Sequence, residues 1–82
     1  MKRYLKLCNR IRVLREFIGY TQNELAFACD ISRTYLSRLE NNKAECSAYL
    51  AIKLCYFLDV SFENLFYFED KMWGVILKDD EL

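Results

Sequence analysis

Apolar side chains recur at helical spacing in the first part of the chain. Over residues 9–17 they follow the i, i+3, i+6, i+7 pattern of an amphipathic helix, at Ile11, Leu14, Phe17 and Ile18. Asn9 is the better of two candidate N-caps, and Gly19 follows where the residue after a helix needs a positive φ. Much of the opposite face is basic, with Arg10, Arg12 and Arg15.

Two short helices follow, separated by a brief interruption. Thr21, with Glu24 three residues later, forms a capping box that predicts a helix of about eight residues. The segment Cys29-Asp30-Ile31 breaks this helix, and Ser32 caps the next one. The apolar side of that second helix consists of Tyr35, Leu36 and Leu39. Its polar side consists of Arg33, Thr34, Ser37 and Arg38.

A fourth helix is predicted from the cap Ser47 to about Leu58. It is apolar nearly all round, so we expect it to lie at the centre of the core. Ser61 caps a last short helix at Phe62–Phe66.

The pattern changes after this helix to aromatic and β-branched residues, which favour strands, over Phe66–Asp70 and Met72–Leu77. We expect Lys2–Leu5 to pair with Met72–Leu77, either within one subunit or across two. The tail is too apolar to stay free in water. We expect its apolar residues at a dimer interface, namely Phe66, Phe68, Trp73, Val75 and Ile76.

Length and composition fit one small helical domain. The chain of 82 residues is 54% hydrophobic and has no proline and only two glycines, so little in it interrupts a helix. We therefore predict an all-α fold, a compact five-helix domain with a short antiparallel β element from the chain termini. It spans residues 1–82, with a core at 8–66 and a C-terminal extension at 67–82. This apolar fraction is more than one small core can bury, so we predict that a second copy of the chain covers the remaining apolar surface.

The chain offers little material for catalysis or metal binding. It has no histidine, no glycine-rich phosphate loop and no evident carboxylate pair, so we expect no enzyme activity and no cofactor. Its four cysteines, Cys8, Cys29, Cys46 and Cys55, lack the close spacing of a zinc site. We expect buried reduced thiols. No apolar run approaches a membrane span and no signal peptide is evident, so we expect a cytoplasmic protein.

Charge divides the chain into two unlike halves. Residues 1–45 carry nine basic and five acidic side chains, a net charge of +4, whereas residues 46–82 carry three and seven, a net charge of −4. A basic half suits a molecule that presents one face to phosphates. The alternative is that this uneven distribution of charge arose by chance in a short chain.

The two short helices and their interruption form a helix-turn-helix pattern, in which the second helix enters the major groove of DNA. The segments Thr21–Ala26, Ile31–Asn41 and Leu50–Ser61 resemble, at their usual spacings, the phage repressor/Cro-type (xenobiotic-response-element) helix-turn-helix family. The resemblance covers roughly Ile11–Phe66. Two residues depart from its pattern, because Asp30 and Asn42 stand where many members have glycine. Both residue types accept a positive φ at modest cost.

The resemblance implies a homodimeric regulator of transcription, a repressor in our prediction, bound to double-stranded DNA at a palindromic operator. Base-reading residues are then expected at Arg33, Thr34, Ser37 and Arg38. Contacts to the DNA backbone are expected from Gln22, Ser32, Tyr35, Asn41 and Lys43. Glu40 would be repelled by DNA, so we expect it to pair locally.

Alternatives remain at the level of the sequence. Arg33 and Arg38 could be solvated surface charges, and Tyr35 could belong partly to the core. The whole chain could be an antitoxin or adaptor that binds a protein partner through its aromatic C-terminal segment. A redox sensor that uses Cys29 or Cys46 is a weaker alternative, because nothing in the sequence indicates a lowered thiol pKa.

Overall fold

The computed structural model describes the backbone of residues 3–72 and the side chains of residues 5–69. Five helices pack around a single core. A two-stranded antiparallel sheet joins the first and last parts of this segment, as the sequence predicted. The elements are β1 (Arg3–Asn9), α1 (Ile11–Ile18), α2 (Gln22–Cys29), α3 (Arg33–Glu40), α4 (Ala48–Leu58), α5 (Phe62–Leu65) and β2 (Phe66–Met72).

The predicted caps set the starts of the helices. At α2 the Thr21 hydroxyl accepts a hydrogen bond from the Glu24 backbone N–H, and the Glu24 carboxylate accepts one from the Thr21 N–H, which completes the capping box. The hydroxyls of Ser32 and Ser47 each accept a hydrogen bond from the backbone N–H three residues later. Asn9 stands one residue before the N-cap of α1, yet its side-chain oxygen accepts the first helical N–H, that of Ile11.

The turns after the helices use residues that tolerate a left-handed backbone. Gly19 follows α1 with φ 104°, in agreement with the prediction. Asp30 and Asn42 both have φ 59°, so the two departures from the family's glycines are accommodated. Asp59 after α4 has φ 55° and was not singled out from the sequence. Aspartate and asparagine accept this region more readily than other non-glycine residues.

Helices α2, α3 and α4 supply most of the core. Their fully buried members include Leu25, Leu36 and Leu54. The apolar face predicted for α1 was partly wrong, because Phe17 is 87% exposed and Arg15 is buried in its place. Helix α1 thus turns Ile11 and Arg15, four residues apart, towards the core.

Helix α4 is buried on one side only. Leu50, Ala51, Leu54 and Leu58 face the core, whereas Tyr49, Ile52 and Tyr56 lie on the outer surface. The prediction that α4 lies at the centre of the core therefore holds only for the side of the helix that carries the four buried residues.

The sheet pairs β1 with β2 within one chain, in the register Arg3↔Met72 to Asn9↔Phe66. The predicted pairing of Lys2–Leu5 with Met72–Leu77 was wrong in register, because β2 begins directly after α5 and pairs along all of β1. Phe66 also corrects the interface prediction, since it is 7% exposed and packs in the chain's own core. Phe68 is exposed, and the calls on Trp73, Val75 and Ile76 lie outside the described residues.

None of the helices in the described part of the chain combines the length and the hydropathy that crossing a bilayer requires.

Leu54→Ala is expected to lower the free energy of unfolding by about 2–5 kcal/mol, because it leaves a cavity at a side chain with no exposure. The matched control on the same helix is Ile52→Ala, which should change stability by about 0.5 kcal/mol or less because Ile52 is 67% exposed. Urea unfolding followed by circular dichroism measures both. Equal losses in the two variants would contradict this assignment of the core.

Candidate nucleic-acid interface

Helices α2 and α3 form a helix-turn-helix unit. Only residues 30–32 separate them, and the positive φ of Asp30 turns the chain before Ser32 caps α3. The two helices pack through Leu25 and Ala26 of α2, both buried, and through Leu36 of α3. Ala26 is a small residue at this contact and is only 3% exposed.

The outer face of α3 carries the predicted base-reading side chains. Arg33, Thr34 and Arg38 are exposed, and Ser37 is half-buried. Thr34 lies one turn from both Ser37 and Arg38, so these three share a face of the helix. Arg33 extends from the N-terminal end of α3, the end that enters the major groove in this motif.

A chain of hydrogen bonds ties Arg33 to the protein interior. The Arg33 guanidinium donates to the side-chain oxygen of Gln22 over 3.3 Å. The side-chain nitrogen of Gln22 donates to the Glu40 carboxylate over 2.9 Å. Gln22, at the start of α2, therefore connects Arg33 at the start of α3 to the buried carboxylate of Glu40 at its end. Both the oxygen and the nitrogen of the Gln22 amide make contacts within the protein.

The Glu40 carboxylate is completely buried and accepts hydrogen bonds from two arginines of α1. The Arg15 guanidinium donates to its two oxygens over 2.6 and 3.3 Å, and Arg12 donates to one of them over 3.5 Å. Burial alone would raise the pKa of Glu40. The hydrogen bonds from Arg15 and Gln22, helped by the charge of Arg15, outweigh burial and hold this pKa below its ordinary value. Local pairing of Glu40, expected from the sequence, is confirmed.

Sequence reasoning missed the importance of Arg15. It placed this residue on the polar face of α1 with Arg10 and Arg12, whereas the structure leaves it only 7% exposed. A signal was available, because Arg15 lies four residues after Ile11 and therefore on the buried face. The hydrogen bonds to Glu40 raise the pKa of Arg15, so it stays charged.

The C-terminal end of α3 holds the second arginine. Arg38 donates to the backbone carbonyl of Lys43 over 2.7 Å, across the turn that follows the helix. Asn41 donates to the carbonyl of Ser37 and accepts from Arg12. Lys43 and Asn41 are both exposed beside this end of the helix.

Two of the residues expected to contact the DNA backbone, Ser32 and Tyr35, make hydrogen bonds that stabilise the protein itself. The Ser32 hydroxyl caps α3 by accepting the N–H of Tyr35. The Tyr35 hydroxyl donates to the carbonyl of Glu45 over 2.5 Å, and its half-buried ring packs against the core. The alternative that Tyr35 belongs partly to the core is therefore confirmed.

Burial shapes the chemistry of three of the four cysteines. Cys8 and Cys29 are buried, Cys46 and Cys55 are half-buried, and all four are free thiols. Burial raises the pKa of Cys46 to about 11, with the neighbouring Cys29 and Cys55 adding to the effect. Burial also raises the pKa of Cys29 and Cys55, so these thiols stay protonated and weakly nucleophilic. Among the described residues no group of three or more Cys, Asp or Glu is placed to hold a metal ion.

This geometry, a capped helix with exposed arginines packed against a second helix of equal length, defines a DNA-binding helix-turn-helix domain. Comparison with known proteins agrees. A sequence family described as helix-turn-helix matches residues 11–65, and the chain belongs to this family of helix-turn-helix transcriptional regulators. The match coincides closely with the extent of the resemblance found in the sequence.

Individual relatives give the same result. A protein of Archaeoglobus fulgidus named as an uncharacterized HTH-type transcriptional regulator is 38% identical over 66 residues, which cover 79% of this chain and 94% of the relative. The restriction-modification controller protein C.AhdI of Aeromonas hydrophila has a similar structure, with a TM-score of 0.63, 31% identity, and coverage of 67% of this chain and 83% of that one.

A further structural neighbour is the clp gene regulator ClgR of Corynebacterium glutamicum, with a TM-score of 0.61 and 38% identity. The match covers 63% of this chain and 55% of ClgR, so this chain corresponds to about half of that protein.

The buried pair predicts a specific acid dependence of stability. Because its pKa is lowered by folding, Glu40 stabilises the protein above its ordinary pKa of about 4.5, and this contribution is lost as the pH falls through the folded pKa. Glu40→Gln should cost about 3 kcal/mol or more at pH 7, since it leaves Arg15 buried without its counter-charge. Denaturant unfolding at a series of pH values should show the gap between wild type and variant narrowing below about pH 4.5. A gap that is independent of pH would contradict this role of Glu40.

Proposed function

We propose that the protein is a homodimeric repressor of transcription that binds a palindromic operator in double-stranded DNA and reads it with α3 in the major groove. The observation that carries the proposal is the exposed face of Arg33, Thr34 and Arg38 at the second helix of a helix-turn-helix unit. The family match supports DNA binding as the activity. We propose a cytoplasmic protein that needs no cofactor and catalyses no reaction.

Direct readout is assigned to four residues. Arg33 and Arg38 have the planar donor set that pairs with O6 and N7 of guanine, a contact worth about 1–3 kcal/mol of discrimination. Thr34 and Ser37 present hydroxyls, and Thr34 also presents a methyl group, between the two arginines. Each guanidinium already donates one hydrogen bond within the protein, to the Gln22 side chain from Arg33 and to the Lys43 carbonyl from Arg38, and has further N–H donors for a base.

Contacts to the phosphates are assigned to residues around the ends of α3. Lys43 and Asn41 are exposed at its C-terminal end, and Gln22 and Ser32 lie near its N-terminal end. These contacts position the protein without reading sequence. Tyr35 is the weakest candidate among the five expected phosphate contacts, because contacting a phosphate would cost the hydrogen bond that its hydroxyl donates to the Glu45 carbonyl.

Repression follows from occlusion, because a dimer seated in two successive major grooves blocks other proteins from the same DNA. Two copies of α3 then face half-sites about one helical turn, roughly 34 Å, apart.

The alternative of an antitoxin or adaptor is favoured by one observation. Aromatic side chains stand exposed outside the DNA-binding face, among them Phe68 at 62% and Phe27 at 88%. A stable second protein that copurifies through such a surface would support this alternative, which is compatible with DNA binding.

Selection of bound sequences from a random double-stranded pool tests direct readout. Wild type should enrich a palindromic motif, and Arg33→Ala and Arg38→Ala should each relax it at particular bases with a loss of about 1–3 kcal/mol. Lys6→Ala is the matched control, since it removes an exposed positive charge from β1 rather than from α3. A motif unchanged in both arginine variants would contradict the assignment.

Lys43→Ala tests the positioning role. It should weaken binding to all sequences about equally and reduce the slope of log K against log salt by about 1 per subunit. Fluorescence anisotropy titrations over a range of salt concentrations measure both quantities. A loss confined to particular base pairs would instead make Lys43 a reading residue.

A further inference from the structure

Arg12, near the start of α1, reaches from that helix to the C-terminal end of α3. Its Nε donates to the Glu40 carboxylate over 3.5 Å, and its Nη2 donates to the side-chain oxygen of Asn41 over 3.2 Å. The side chain of Arg12 is 49% exposed, whereas that of Glu40 has no exposure. Arg12 therefore stands between the buried cluster around Glu40 and the surface beside Asn41.

Glu40 has enough hydrogen-bond donors without Arg12. The Arg15 guanidinium donates to both of its oxygens, and the Gln22 amide donates to one of them over 2.9 Å. The contact from Arg12 is longer than each of these and lies near the distance limit of a hydrogen bond. Among the side chains of residues 5–69 it is also the only ion pair that Arg12 makes. The positive charge of Arg12 is therefore only weakly compensated.

The C-terminal end of α3 is by itself an unfavourable place for a phosphate. Arg15 neutralises the carboxylate of Glu40, but the carbonyl end of a helix carries roughly half a negative charge of its own. Asn41 is the C-cap of α3 and has no charge to offset this. Because the Arg12 guanidinium is hydrogen-bonded to the Asn41 side chain, it supplies a cation where that amide would meet a phosphate.

The Asn41 amide is held in one orientation by its two neighbours. Its oxygen accepts from Arg12, and its nitrogen donates to the Ser37 carbonyl over 2.8 Å. A guanidinium can only donate and a carbonyl can only accept, so the opposite orientation of the amide would lose both bonds. The second N–H of the Asn41 amide is left to donate elsewhere. Within residues 5–69 Nη1 of Arg12 also donates no hydrogen bond. The two side chains thus offer adjacent N–H groups, one of them charged.

The neighbouring arginine of α1 is directed to another part of the molecule. The Arg10 guanidinium lies 4.2 Å from the centre of the Tyr67 ring and donates to the Asn64 carbonyl over 3.3 Å. Arg10 therefore contacts β2 and α5, whereas Arg12 contacts α3. Both arginines are exposed, so they differ in position rather than in charge or in access to solvent.

We propose that Arg12 is a phosphate-binding residue of the DNA interface and that, together with Asn41, it holds one phosphate of the DNA backbone at the C-terminal end of α3. This inference rests on the proposed function, because it adds α1 to the surface with which the helix-turn-helix unit meets its operator. Arg12 acts in two ways, since it donates to the phosphate and orients the Asn41 amide towards it. The contact positions the protein on DNA without reading sequence.

The salt dependence of DNA binding tests the proposal. Fluorescence anisotropy titrations with random-sequence duplexes should show that Arg12→Ala lowers the slope of log K against log salt by about 0.9 per subunit. The ratio of wild-type to variant affinity should then fall by about threefold for each fourfold rise in salt. Arg10→Ala is the matched control, because it removes the same charge from the same helix but away from α3, and it should leave the slope almost unchanged. Equal slopes in wild type and Arg12→Ala, or equal reductions in the two variants, would overturn the proposal.

A conservative variant separates phosphate binding from a structural role. Arg12→Lys retains the charge and should keep the wild-type slope, with the circular dichroism spectrum and the urea midpoint close to those of wild type. If Arg12 instead served only as a partner of Glu40, Arg12→Ala would lower the urea midpoint and leave the slope unchanged. That result, or a slope reduced as much by Arg12→Lys as by Arg12→Ala, would overturn the proposal.

A double-mutant cycle tests whether Arg12 and Asn41 share one phosphate. Arg12→Ala and Asn41→Ala should each weaken binding, and the combined variant should lose less affinity than the product of the two separate fold-losses. Fold-losses that multiply would overturn the shared site.

The same titrations distinguish this proposal from the proposed function. A wild-type protein that binds no duplex even at low salt would overturn both. A wild-type protein that binds duplex DNA and enriches a motif, beside an Arg12→Ala variant with an unchanged slope, would overturn the phosphate contact of Arg12 alone and leave the proposed function standing.

Discussion

The buried carboxylate of Glu40 is the point at which α1, α2 and α3 are joined. Arg15 reaches it from α1, Gln22 reaches it from α2, and Glu40 itself is the last residue of α3. A buried charge is tolerable only when its partners are in place, so the orientation of α3 depends on this cluster as well as on apolar packing. Apolar contacts alone would allow α3 to rotate slightly about its axis. Hydrogen bonds of fixed geometry hold the helix in one orientation.

Local rules predicted most of the fold, because its signals are local. Caps such as Thr21 and turn residues such as Asp30 act within one or two turns of the chain, and both could be read from the sequence. The buried pair of Arg15 and Glu40 spans 25 residues, and its partners could be identified only once α1 and α3 were packed together. The register of the two-stranded sheet was missed for a similar reason, since β2 begins where α5 ends and the strand sequence does not show this.

For the candidate site, the sequence predicted which side chains are exposed but not which groups they contact. Which side chains of α3 face outward followed from its helical period. What those side chains contact in the free protein did not, because the bonds from Arg33 to Gln22 and from Arg38 to the Lys43 carbonyl depend on neighbouring elements. A groove lined by Leu7, Lys43 and Phe66 was also hidden from sequence reasoning, because it forms where β1, β2 and the turn after α3 come together.

The internal hydrogen bonds of Arg33 and Arg38 have a consequence for the cost of binding. Each guanidinium holds one intramolecular acceptor in the free protein, so part of its side-chain entropy is already lost. If these arginines bind a ligand as proposed, the remaining N–H groups enter the contact from a side chain that is already oriented. The entropy of ordering is then lost during folding of the protein rather than on binding.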